Sequence, residues 1–178
     1  GRSDVKKVGC EETALFQAVR SHKAETVKLL LEYSADPDTV GFNGLTLLTY
    51  AARYGFVDGV KHLIQFNADV NKFGNQEFPL WSAAWGGWYG SVDLLLDAGA
   101  ATKTLNAKHK RNGFTPLHIA SQGNFAGHPT IVQKLLARNA DVDIACDQFH
   151  RTPLISASIF NRVSIVRMLL EKKPSLEK

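Results

Sequence analysis

The chain has 178 residues, 44% of them apolar, and a formal net charge of +4. No apolar run approaches the ~18 residues needed to cross a bilayer, and no signal-peptide pattern opens the sequence. The mild positive charge permits an acidic partner without requiring nucleic acid.

Read from the start, a block of about thirty-three residues returns five times. Its opening slot holds Thr13, Thr46, Phe78, Thr115 and Thr152. A leucine follows two residues later (Leu15, Leu48, Leu80, Leu117, Leu154), then an alanine (Ala18, Ala51, Ala83, Ala120, Ala157). Each block continues to a valine and leucines, as in Val27-Lys28-Leu29-Leu30 and Val92-Asp93-Leu94-Leu95. A threonine before the first helical residue can accept from an orphan N–H. Proline at the next position, as in Thr115-Pro116 and Thr152-Pro153, loses nothing in a first helical turn. The pattern predicts a short inner helix, a glycine turn (Gly55, Gly86-Gly87, Gly127) and an outer helix with one apolar face. Asn43-Gly44 and Asn112-Gly113 mark tight turns between blocks. One block cannot bury its own apolar face, so stability must come from stacking.

The motif Thr115-Pro116-Leu117-His118-Ile119-Ala120 and its partial copies resemble the ankyrin repeat. The resemblance covers almost the whole chain. It implies an all-α solenoid of five repeats, at roughly 9–41, 42–73, 74–109, 110–146 and 147–178, with hairpin fingers joining the helix pairs. It also implies a non-catalytic surface that binds a partner protein or peptide, and a structural role for His118, whose ring bonds finger backbone. Leu63 followed by Asp69-Val70-Asn71 is similar to the finger sequence accepted by an intracellular asparaginyl hydroxylase, with Asn71 as target. Asp4-Val5 aligns with Asp69-Val70, and Pro174-Ser175-Leu176 falls inside a finger, so the chain reads as a fragment of a longer array.

Three departures from the repeat mark candidate binding residues. The third block holds all three tryptophans, Trp81, Trp85 and Trp88. Across blocks, the slot of Trp85 reads Arg20, Arg53, Trp85, Gln122 and Ile159, and the next slot includes Tyr54 and Phe160. Aromatics amid such a row are what a binding hot spot looks like. With Phe42, Glu77 and Phe114 from the fingers, these residues predict a groove for a partner segment, acidic at one end and apolar at the other. The second departure, Lys103 to Arg111, reads as a longer basic finger carrying Lys108, His109, Lys110 and Arg111, suited to an acidic segment. No aromatics interleave with those charges, which argues against nucleic acid. The third is the insertion Gly123-Asn124-Phe125-Ala126, since insertions in solenoids often lie near the binding face.

Catalytic chemistry is absent from the pattern. The six histidines show no metal-ligand spacing, and no glycine-rich phosphate loop occurs. No cofactor is expected. Cys10 and Cys146 lie four blocks apart and read as reduced thiols of an intracellular, monomeric protein. Two further readings compete with simple partner binding. Trp81, Trp85 and Glu77, at helical spacing, could cage a cationic or methylated lysine side chain. Alternatively, the segment could be the substrate-targeting arm of a larger enzyme or ligase adaptor.

Overall fold

The computed structural model describes residues 13–41 and 44–176, and among these every regular element is helical. Five antiparallel helix pairs follow one another: α1 (Ala14–Arg20) with α2 (Ala24–Glu32), α3 (Leu47–Arg53) with α4 (Val57–Gln65), α5 (Pro79–Gly86) with α6 (Tyr89–Leu95), α8 (Pro116–Gln122) with α9 (His128–Ala137), and α10 (Pro153–Ile159) with α11 (Val163–Leu170). Two short elements remain, a π-helical turn at Leu96–Ala100 and α7 (Ala101–Lys103), a single turn. Inner helices α1, α3, α5, α8 and α10 pack side by side, and outer helices α2, α4, α6, α9 and α11 form a second layer against them.

The repeated slots explain the repeated geometry. Thr13, Thr46, Thr115 and Thr152 each cap an inner helix by accepting from the N–H three residues on. Phe78 breaks the series. It gives no cap and is instead fully buried, with its ring 4.8 Å from that of Phe73. Small residues between inner helices, Ala51, Ala52, Ala83 and Ala84, have no exposed surface and let neighbouring repeats approach closely. The valines and leucines of the outer helices, Val27, Val60, Leu63, Val92, Leu95, Val132 and Leu135, are wholly buried at helical spacing.

A ladder joins the repeats where outer helices give way to fingers. The Asp38 carboxylate accepts from the Asp69 N–H at 2.9 Å, the Asn71 side-chain oxygen from the Thr104 hydroxyl at 3.3 Å, and the Asn106 oxygen from the Asp141 N–H at 3.0 Å. The Asp143 carboxylate accepts from the Ser175 N–H at 2.9 Å. His118 supplies a second tie. Its Nε2–H donates to the Arg151 carbonyl at 2.8 Å, and its Nδ1 accepts from the Thr115 hydroxyl at 2.8 Å. Burial holds the His118 ring neutral, pushing its pKa down to about 4.

The ladder corrects one reading of the sequence. Thr104 and Asn106 occupy the rungs that Asp69 and Asn71 occupy one repeat earlier. The extra residues therefore lie before the finger, wound into Ala101–Lys103 after a left-handed break at Gly99 (φ 99°). The basic segment does not protrude as a longer finger.

Candidate functional site

Each helix pair is a hairpin, so the inter-helix turns lie at the end opposite the fingers. There, the turns of the second, third and fourth repeats enclose an open cavity of about 890 Å³. Its wall is aromatic: Tyr54, Trp85, Trp88, Tyr89 and Phe125 all line it, and all are 41–59% exposed. Exposed rings at this density on one surface are informative, because isolated apolar residues on a surface need no explanation but a contiguous set does.

Bare backbone lets the rings lie close against the turns. Trp88 lies across Gly55 and Gly86, and a Cβ at Gly86 would meet its Nε1 at 2.3 Å. The indole N–H of Trp88 donates to the Arg53 carbonyl at 2.9 Å, tying the third repeat's turn to the second repeat's inner helix. Gly87, at φ 77°, ends α5 in the left-handed region that favours glycine. The inserted loop brings Phe125 against this turn. Its ring stacks on His128, centroids 5.5 Å apart, and its N–H donates to His128 Nδ1 at 3.0 Å. Burial also lowers the pKa of His128.

Among the described residues, Arg53 is the only charged one lining the cavity, and its charge is already balanced. Its guanidinium pairs with the Glu77 carboxylate and lies 4.9 Å over the Trp85 ring. Ser82 Oγ donates to the other Glu77 oxygen at 2.9 Å. The surface is consequently apolar and close to neutral.

The sequence-predicted residues separate accordingly. Arg53, Tyr54, Trp85 and Trp88 come together at the cavity. Trp81 does not reach the surface: it is 6% exposed and stacks on His109, centroids 4.4 Å apart. Phe114 is buried too, beside the His118 ring at 5.8 Å. Glu77 precedes α5 and is consumed by Arg53 and Ser82. These three placements remove the proposed lysine cage, because Trp81 is covered, Glu77 is paired, and a guanidinium already sits over Trp85. Gln122 is half-buried and reaches the Ser156 hydroxyl, while Arg20 and Phe160 are exposed on the first and last repeats. Phe42 lies outside the described residues, as do Asn43 and Cys10.

The basic segment is anchored. Lys108 donates to the Asp147 carboxylate at 2.6 Å, Lys110 lies 5.7 Å over the Phe73 ring, and His109 is buried under Trp81. Burial lowers the His109 pKa. Arg111 and the two lysines remain exposed, at the finger end. Asn71 is half-buried on its ladder rung. Phe125, from the insertion that departs from the repeat, and Tyr89, next to Trp88, complete the cavity wall.

A family model described as ankyrin repeats (3 copies) matches residues 2–74, 61–146 and 80–178. The chain belongs to the ankyrin-repeat family. It is 34% identical over 161 residues to the ankyrin repeat and KH domain-containing protein mask-1 of Caenorhabditis elegans, a match covering 89% of this chain and 6% of that protein. Over 129 residues it is 33% identical to neurogenic locus notch homolog protein 1 of Xenopus laevis, covering 72% of this chain and 5% of the relative. The human transient receptor potential cation channel subfamily A member 1 is 35% identical over 99 residues, 55% of this chain and 8% of the channel. The chain thus spans less than a tenth of the length of these relatives. Ankyrin repeats are generally protein-interaction modules and typically non-catalytic. Among the described residues, no helix is long and apolar enough to cross a membrane, and no cluster of metal-ligating side chains occurs.

Proposed function

We propose that this ankyrin array binds a partner protein or peptide without catalysis, and that its main contact surface is the aromatic cavity over the inter-helix turns. The observation that carries this reading is the gathering of five exposed rings from three successive repeats around one neutral, apolar hollow. Large aromatic side chains in a partly enclosed hollow are the commonest sites of concentrated binding energy. On this reading the surface lies at the turn end of the helix pairs, whereas the sequence pointed to a groove lined by inner-helix ends and fingers together. The exposed Lys108, Lys110 and Arg111 form a separate basic rim at the finger end, which supports at most a secondary contact with acidic residues. An intracellular setting is consistent with Cys146, which is buried and unpaired.

The test is a double substitution, Tyr54→Ala with Trp85→Ala, in a chain whose helicity is checked by circular dichroism. Both side chains are about half exposed, so the fold should survive. A bound partner should weaken by at least about 2 kcal/mol if these rings are hot spots. Unchanged affinity in a folded double variant would move the site elsewhere.

A further inference from the structure

We propose that the cavity takes a proline-rich partner segment in the polyproline II conformation. The proposal rests on the cavity being the binding surface and adds the chemistry of the occupant.

The lining offers hydrogen-bond donors that have no use inside the protein. The Trp85 indole N–H and the Tyr54 and Tyr89 hydroxyls make no hydrogen bond with any described residue, whereas Trp88 spends its N–H on Arg53. An occupant must therefore be apolar enough to lie on the rings and must also present backbone acceptors. The known modes of peptide recognition separate on this requirement. Addition of a strand needs a sheet edge, and the described residues hold only single bridges, Val40 to Thr46 and Gly74 to Glu77, away from the cavity. A docked helix has already satisfied its own carbonyls and would leave the three donors unpaired. A phosphorylated or acidic segment needs free cations, and the only lining cation among the described residues is held by Glu77. A lysine-rich segment would meet no carboxylate on the lining. Charge complementarity thus selects an uncharged occupant.

A proline-rich segment meets every condition. Its backbone is solvated, its carbonyls point outward, and proline carries no N–H that would need an acceptor. Its rings are flat apolar blocks that stack on tryptophan and tyrosine, and the preformed helix loses little entropy on docking. The open cavity of about 890 Å³ has room for such blocks against its aromatic wall, and Gly90 adds no side chain that would narrow it.

The experiment is selection of a random peptide phage library on the whole chain, with every enriched peptide retested on Trp85→Ala, Tyr54→Ala and Trp85→Phe variants of confirmed helicity. A poly-L-proline peptide is titrated in parallel, read by the indole N–H resonances. The expected result is enrichment of proline-rich peptides that lose at least about tenfold in affinity on Trp85→Ala or Tyr54→Ala. Trp85→Phe keeps an apolar ring but removes the donor together with part of the stacking surface, and should weaken them by about fivefold. Poly-L-proline should shift the Trp85 indole resonance. Enriched peptides that lack proline but still depend on Trp85 and Tyr54 would overturn the polyproline assignment and leave the cavity as the binding surface. Enriched peptides indifferent to both substitutions would overturn the cavity itself. No enrichment, together with no shift from millimolar poly-L-proline, would overturn the polyproline assignment as well.

Discussion

Acid should unfold this array earlier than its carboxylates alone would dictate, because His118 is locked in its neutral form. The ring is fully buried, donates from Nε2 to Arg151 and accepts at Nδ1 from Thr115, so a proton added at Nδ1 would displace that bond inside a desolvated site. Its pKa falls from 6.5 to about 4. A depressed folded value means that the unfolded chain binds the proton more tightly. Stability is full above pH 6.5 and drains away as the pH falls from there toward 4. Linkage across that window gives about 2 kcal/mol lost by pH 5 and about 3 kcal/mol near pH 4. His109 and His128 are shifted the same way by burial and add to the loss. The assay is urea unfolding followed by circular dichroism at a series of pH values between 8 and 4.5, for the wild type and His118→Gln. The variant will be less stable at every pH, because it loses the ties to Arg151 and Thr115. The informative quantity is the slope: the variant should lose about 2 kcal/mol less than wild type on acidification to pH 5. Parallel curves for the two proteins would refute the placement of this proton.

Other perturbations follow from single contacts. Thr46→Ala removes the hydroxyl that caps α3 and bonds Thr49, and should cost about 1–2 kcal/mol in urea unfolding. Gly86→Ala places a methyl where the Trp88 indole lies; the chain should stay helical while indole fluorescence changes and cavity binding is lost. Lys108→Ala breaks an exposed pair with Asp147 and should lower the unfolding free energy by no more than about 1 kcal/mol, with cavity binding unaltered.

The repeat frame was legible because capping threonines and buried valines recur in fixed register. That register also located the inner-helix ends, so Arg53, Tyr54 and Trp85 could be named from spacing. What escaped the sequence depends on packing between repeats. Trp81 and His109 are distant in the chain and stack only because a finger folds back onto α5. Phe114 and Glu77 sit in the finger slot that the spacing assigned to the groove, yet one ring packs beside His118 and one carboxylate is taken by Arg53. Phe125 belongs to an insertion with no counterpart in other blocks, and its position is set by His128 and the turn at Gly87. The place of the extra residues before the fourth repeat emerged only from the ladder rungs at Thr104 and Asn106. Side chains that hold position within one repeat were readable; those committed across repeats were not.

The central claim is that the partner sits among the rings at the turn end. The most direct measurement is the set of indole N–H resonances of Trp81, Trp85 and Trp88 during titration with a selected peptide. Trp81 is buried under His109 and serves as the internal reference. The Trp85 and Trp88 resonances should move and saturate together while Trp81 stays in place. Saturable binding that leaves Trp85 and Trp88 unmoved, and shifts the amides of Lys108, Lys110 and Arg111 instead, would contradict the claim.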